Sequence, residues 1–77
     1  MQIRVKYSID GNTITVSSFE EIKDNVVYVD CSGNQLKSFP ENIGQNWTNL
    51  THFYCHNNQL TSLPENIGSN WTNLTDF

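Results

Sequence analysis

Apolar residues alternate with polar ones near the N-terminus, at Ile3, Val5, Tyr7 and Ile9, and again at Ile14 and Val16. A period of two places every second side chain on one face of a strand. Between the runs lies Asp10-Gly11-Asn12, a turn signal, so the pattern predicts a β-hairpin. An Asp10-Gly11 turn sets Tyr7 against Ile14 and Val5 against Val16. A Gly11-Asn12 turn also keeps the apolar faces together, so the register stays open. Ser18-Phe19-Glu20-Glu21 has the form of a capping box, with the glutamate three residues after the serine. It predicts a short helix through Ile22 and Lys23, after which Asp24-Asn25 turns the chain.

From Val26 onward a longer period takes over. Val29 to Leu36 aligns with Phe53 to Leu60, and Phe39 to Gly44 with Leu63 to Gly68; Asn46 to Thr51 recurs unchanged as Asn70 to Thr75. Every pair is 24 residues apart. An internal period of this size marks a solenoid of stacked coils. Strand geometry then points Val29, Cys31, Phe53 and Cys55 inward and Tyr28, Asp30, Ser32, His52, Tyr54 and His56 outward. Asn34 and Asn58 follow at the bends, where an inward amide can satisfy backbone groups that the strand ladder leaves free. Leu36, Phe39, Ile43, Leu60, Leu63 and Ile67 continue the core along the return path. Pro40 and Pro64 suit the start of a short helical turn and Gly44 and Gly68 its end. Trp47 and Trp71 close the convex side of the core in this reading; a surface role is the alternative.

Written out, the second copy has the spacing L-x-x-F-x-C-x-x-N-x-L-x-x-L-P-x-x-I-G, from Leu50 through Phe53, Cys55, Asn58, Leu60, Leu63, Pro64 and Ile67. The first copy fits with Val26, Val29, Cys31, Asn34, Leu36, Phe39, Pro40 and Ile43. This resembles the leucine-rich repeat signature, L-x-x-L-x-L-x-x-N-x-L, over about two-thirds of the chain. The L-P-x-x-I-G ending is similar to the intracellular subclass of these repeats, one residue longer near Gln45-Asn46 and Ser69-Asn70. The resemblance implies an α/β fold: a short leucine-rich repeat solenoid with parallel strands on its concave side. It also implies that the concave sheet face binds a protein partner.

The organisation follows. Residues 1–25 form an N-terminal capping hairpin and helix, because the first coil would otherwise expose its core. Residues 26–49 and 50–73 are the repeats, and 74–77 open a partial third. No C-terminal cap is legible. The strand edge at Leu74 to Phe77, with Trp71 behind it, invites pairing with another chain. The expectation is self-association, most simply a dimer joined at this edge, with domain swapping as a second route to the same cover. The self-association residues are Trp71, Leu74 and Phe77.

Composition narrows the function. The net charge of -4 gives no basic patch for nucleic acid. No apolar run could span a membrane, and Met-Gln-Ile-Arg-Val-Lys is no signal peptide. Cys31 and Cys55 occupy equivalent inward positions whose side chains run parallel, which favours two reduced thiols and a cytoplasmic location. The four Asn-x-Thr sequons, at Asn46, Asn49, Asn70 and Asn73, come with the repeat and stay bare without secretion. Outward side chains form columns: Tyr28, His52 and Asp76; Asp30 and Tyr54; Ser32 and His56. Tyrosines beside adaptable polar groups make good contact residues. The concave-face candidates are therefore Tyr28, Asp30, His52, Tyr54 and His56. The patch is small beside the roughly 800 Å² per partner of a standard interface. A metal site from His52 and His56 with Asp30 or Asp76 was weighed against this, but no motif for a nucleophile, a phosphate loop or a metal cage accompanies it. The expectation is a binding module with no catalytic residue, metal or cofactor, or else a purely structural fragment of a longer array.

Overall fold

Among the described residues four short strands make one sheet. The computed structural model describes residues 1–40, 42–61, 67–68 and 70–75. The strands are β1 (Ile3–Lys6), β2 (Ile14–Val16), β3 (Tyr28–Asp30) and β4 (His52–Tyr54). They lie in the order β2-β1-β3-β4. β3 and β4 run parallel, with Tyr28 beside His52, Val29 beside Phe53 and Asp30 beside Tyr54. That pairing is the 24-residue offset of the repeat, now seen as a hydrogen-bonded register. β1 runs antiparallel to β3, with Arg4 beside Asp30 and Lys6 beside Tyr28. The hairpin thus continues the sheet of the coils instead of merely lying over their end.

The hairpin register departs from both expected forms. Val5 faces Ile14 and Ile3 faces Val16, so the connection begins already at Tyr7. A tight turn closes there through the Gly11 N–H to the Ser8 carbonyl at 3.0 Å. Tyr7 leaves the strand, and its hydroxyl accepts the Lys23 N–H at 3.1 Å. The expected uniformly apolar face is therefore narrower. Ile3 and Val5 are fully buried, while Ile9 and Ile14 stay exposed.

The helical part of the cap is also shorter than expected. A single 3-10 turn spans Phe19–Glu21, and Ile22 is already extended at φ -82 and ψ 124. Ile22 must swing into the core, which stops the helix. The expected capping box between Ser18 and Glu21 is present, and the Glu21 carboxylate accepts the N–H groups of Ser17 at 2.6 Å and Ser18 at 3.0 Å. Among the described residues this turn is the only helical stretch, so the helical share of the α/β expectation shrinks to one turn. The convex return path consists of tight turns, including Ile43 N–H to Pro40 O, Trp47 N–H to Gly44 O and Leu50 N–H to Trp47 O. Proline lacks the N–H needed to extend such a turn backward. Gly44, at φ +63, adopts the left-handed conformation that ends it. A side chain there would strike the Trp47 ring. Leu63 and Pro64 lie outside the described residues.

The core sits between sheet and turns. Val26, Val29, Cys31, Leu50 and Phe53 are fully buried beneath the strands. Aromatic rings bridge the interior in series. Phe19 meets Phe39 at 5.9 Å and 75°, and Phe39 meets Phe53 at 5.8 Å and 63°. Phe53 packs on Trp71 at 4.8 Å, and Trp71 stacks on Trp47 at 6.0 Å and 11°. Both Trp rings are interior, as the packing reading expected. The Asn58 side-chain oxygen accepts the N–H groups of Asn34 and Leu36, each at 3.0 Å. Its amide donates to the carbonyls of Cys31 and Cys55 at 3.1 and 2.9 Å. On the N-terminal side, Asn34 exchanges two bonds with the Gln2 backbone, at 2.9 and 2.8 Å. Asn34 is thus bonded by Gln2 on one side and by Asn58 on the other.

Candidate functional site

The solvent-facing side of the sheet carries the outward side chains of β1, β3 and β4 in two rows. One row is Lys6, Tyr28 and His52; the other is Arg4, Asp30 and Tyr54. Parallel register brings three of the five concave-face candidates into mutual contact. Tyr28 lies 5.9 Å from His52 and 5.7 Å from Tyr54, and His52 lies 6.1 Å from Tyr54, centroid to centroid. These spacings are in the range of attractive ring pairs. All three rings are partly exposed. Thr51 Oγ1 donates to the Val27 carbonyl at 3.0 Å. The same hydroxyl lies 2.7 Å from His52 Nδ1.

Asp30, the fourth candidate, sits in a polar cluster at the border of this platform. Its carboxylate accepts the Ser32 hydroxyl at 2.5 Å and the Ser32 N–H at 3.0 Å, and it pairs with Arg4 at 3.3 Å. Partial burial pushes its pKa up. The Ser32 bonds and the Arg4 guanidinium outweigh this and hold the carboxyl below its ordinary value. His56, the fifth, is exposed beyond the end of β4 and forms no ring contact with the other three.

Two residues of the face were not anticipated. Lys6 holds its ammonium 5.3 Å from the Tyr28 ring centre, a cation–π contact, and Arg4 holds Asp30. The alternation of β1 signals that both point away from the core. Their partners depend on the β1–β3 pairing, which joins residues far apart in the chain.

The self-association candidates are placed differently from one another. Trp71 is 4% exposed, and its indole N–H donates to the Gly44 carbonyl at 2.8 Å. Leu74 is half-buried. Asp76 and Phe77 lie outside the described residues. Thr75 donates its N–H and its hydroxyl to the Thr51 carbonyl, at 2.9 and 3.1 Å. Thr51 makes the same two bonds to Val27, at 2.8 and 3.0 Å.

The face offers aromatic surface, hydrogen-bond donors and a few charges, and no activated nucleophile. Both cysteines are free thiols. Burial, followed by the neighbouring Cys55 and Asp30, pushes Cys31 up to about 12, and burial also raises Cys55. Neither is a thiolate at neutral pH. Among the described residues no group of three or more His, Cys, Asp or Glu side chains could hold a metal ion. No helix among them is long and apolar enough to cross a membrane.

Coils paired in parallel register, each with a half-buried asparagine at the bend after its strand, define a repeat protein. The family model for leucine-rich repeats in two copies matches residues 24–77, and the chain belongs to that family. No curated protein and no solved structure matches it. Leucine-rich repeat domains generally mediate protein–protein interaction and are typically not enzymes.

Proposed function

We propose that the chain is a protein-interaction module that engages its partner through the exposed sheet face. The observation that carries this is the contact of Tyr28, His52 and Tyr54 into one partly exposed aromatic platform, with Lys6 and Arg4 beside it. Rigid aromatic side chains lose little entropy on contact, and adjacent charges set orientation and specificity. The test is selection of binders from a displayed peptide or protein library against the folded chain. Selected binders should lose at least about tenfold in affinity, the scale of a hot-spot residue, when Tyr54 or His52 becomes alanine while the fold is kept. Binders indifferent to both changes would move the function off this face.

A second reading is self-association on the C-terminal side of the second coil, by Leu74 and its neighbours Trp71 and Phe77. It is supported by donors that are used in the first coil and not in the second. Asn34 and Leu36 donate to the Asn58 oxygen. Among the described residues, the equivalent N–H groups of Asn58 and Leu60 meet no acceptor. An acceptor-bearing strand from a second copy fits there. Sedimentation over a concentration range tests it: a monomer at millimolar concentration would dispose of this reading and leave the first intact. We also place the chain in a reducing compartment, which the two unbonded thiols support.

A further inference from the structure

Among the described residues, three side-chain bonds join the convex turns of the two coils and run one way. Trp71 donates its indole N–H to the Gly44 carbonyl at 2.8 Å. The side-chain amide of Asn70 donates to the Gln45 carbonyl at 2.8 Å, and that of Asn73 to the Thr48 carbonyl at 3.0 Å. The donors lie on the second coil and the acceptors on the first. The repeat places the same donors on the first coil, at Trp47, Asn46 and Asn49. Among the described residues these three side-chain donors meet no acceptor. The Trp47 ring is buried, but its nitrogen is not a buried orphan, so it reaches solvent.

That solvent fills a cleft of about 440 Å³ between cap and first coil. Phe19, Glu20 and Asp24 wall it on the cap side, and Ile43, Asn46 and Trp47 on the coil side. Neither carboxylate forms an ion pair among the described residues. The cap thus replaces a preceding coil along the sheet, where Gln2 serves Asn34, but not along the convex turns.

We propose that this cleft binds an extended peptide segment of a partner protein. Backbone carbonyls of the segment accept from Trp47 and Asn46, and a basic side chain meets Glu20 and Asp24. The occupant's chemistry is read one coil further on, where the carbonyls of Gly44, Gln45 and Thr48 fill the corresponding role. Charge complementarity with the two carboxylates selects the basic residue. The site is separate from the exposed sheet face and stands whether or not that face binds.

The test uses the full chain, isotope-labelled for NMR, and the peptide acetyl-Gly-Gln-Asn-Trp-Thr-Lys-amide. The expected result is a saturable shift of the Trp47 indole N–H resonance, with Trp71 and the amides of Tyr28, His52 and Tyr54 in place. E20Q and D24N should each weaken binding by about two- to fivefold at low salt. W47F, which keeps a ring and removes the N–H, should weaken it by about fivefold. A Trp47 resonance that stays put at millimolar peptide would overturn the proposal, as would unchanged binding by both E20Q and D24N. Shifts at the sheet face instead of Trp47 would overturn it as well.

Discussion

The backbone N–H of Asn34 donates to the side-chain oxygen of Asn58 at 3.0 Å, from one coil to the next. The same oxygen takes the Leu36 N–H, and the amide nitrogen donates to the carbonyls of Cys31, Cys55 and His56. Asn58 is thus a bracket where both coils leave the sheet. Asn58→Ala strands these partners in a part-buried setting. Each unmet group costs about 1–3 kcal/mol, less where water enters, so the loss should be about 2–4 kcal/mol. Domains of this size hold roughly 0.05–0.15 kcal/mol per residue. Urea denaturation should find the midpoint of the variant well below that of wild type; a midpoint close to wild type would refute the bracket.

The near-parallel Trp47 and Trp71 rings couple the convex turns. Trp71→Phe removes the bond to the Gly44 carbonyl and part of the packing on Phe53. The expected cost is about 1–3 kcal/mol. Urea denaturation checks it: a midpoint equal to that of wild type would show that neither the bond nor the packing contributes to stability.

Residue patterns reveal some of these relationships and conceal others. The β3–β4 register is legible because a repeat compares equivalent positions directly: Val29 with Phe53, Cys31 with Cys55. The hairpin register is not, because Asp10-Gly11-Asn12 permits several turns. The outcome coincides with Tyr7 leaving the strand to meet Lys23, a contact between separate segments. The capping signal marks a start and not a stop, so the pattern predicts a longer helix than the single turn that forms; burial of Ile22 supplies the stop. Tyr28, His52 and Tyr54 could be grouped from strand alternation alone. Arg4 and Lys6 could not join them without knowing that β1 lies against β3.

Gln35 adopts the left-handed region at φ 60, which costs a residue with a side chain about 1–2 kcal/mol. Its side chain is exposed and makes no hydrogen bond among the described residues. Gln35→Gly should therefore stabilise the fold, by about 0.5–1 kcal/mol after the extra entropy glycine loses on folding. A raised urea midpoint at unchanged slope is the expected reading. A fall would mean that the turn from Ser32 does not need this conformation.

Asp30 links stability to acid. Its folded pKa lies below the ordinary value, which is about 3.9. Its contribution is complete above that ordinary value and disappears as pH drops through the folded one. The Arg4 side chain is 39% exposed, so solvent screening limits the pair to about 1 kcal/mol or less. Asp30→Asn should lose this small amount at neutral pH and converge with wild type toward pH ~2. Denaturation midpoints that stay apart at acid pH would assign the difference to packing instead of charge.

Cys31 acts at the other end of the scale, with the opposite sign. Its folded pKa is raised to about 12, whereas an unfolded cysteine ionises near 8.5, at about that value. Below about pH 8.5 both states hold the proton and nothing depends on pH. Above it the unfolded chain gives up the proton first, so stability falls by up to about 1.4 kcal/mol for each further pH unit. Cys31→Val keeps an apolar side chain in the site and removes the titrating group. The wild type should weaken between about pH 8.5 and 9.5, with the variant flatter by most of that slope and Cys55 accounting for part of the remainder. The same burial should make alkylation of Cys31 slower than that of Cys55, which is half exposed by comparison. Equal slopes in wild type and variant would show that Cys31 ionises as readily folded as unfolded, and that it does not sit sealed under the sheet.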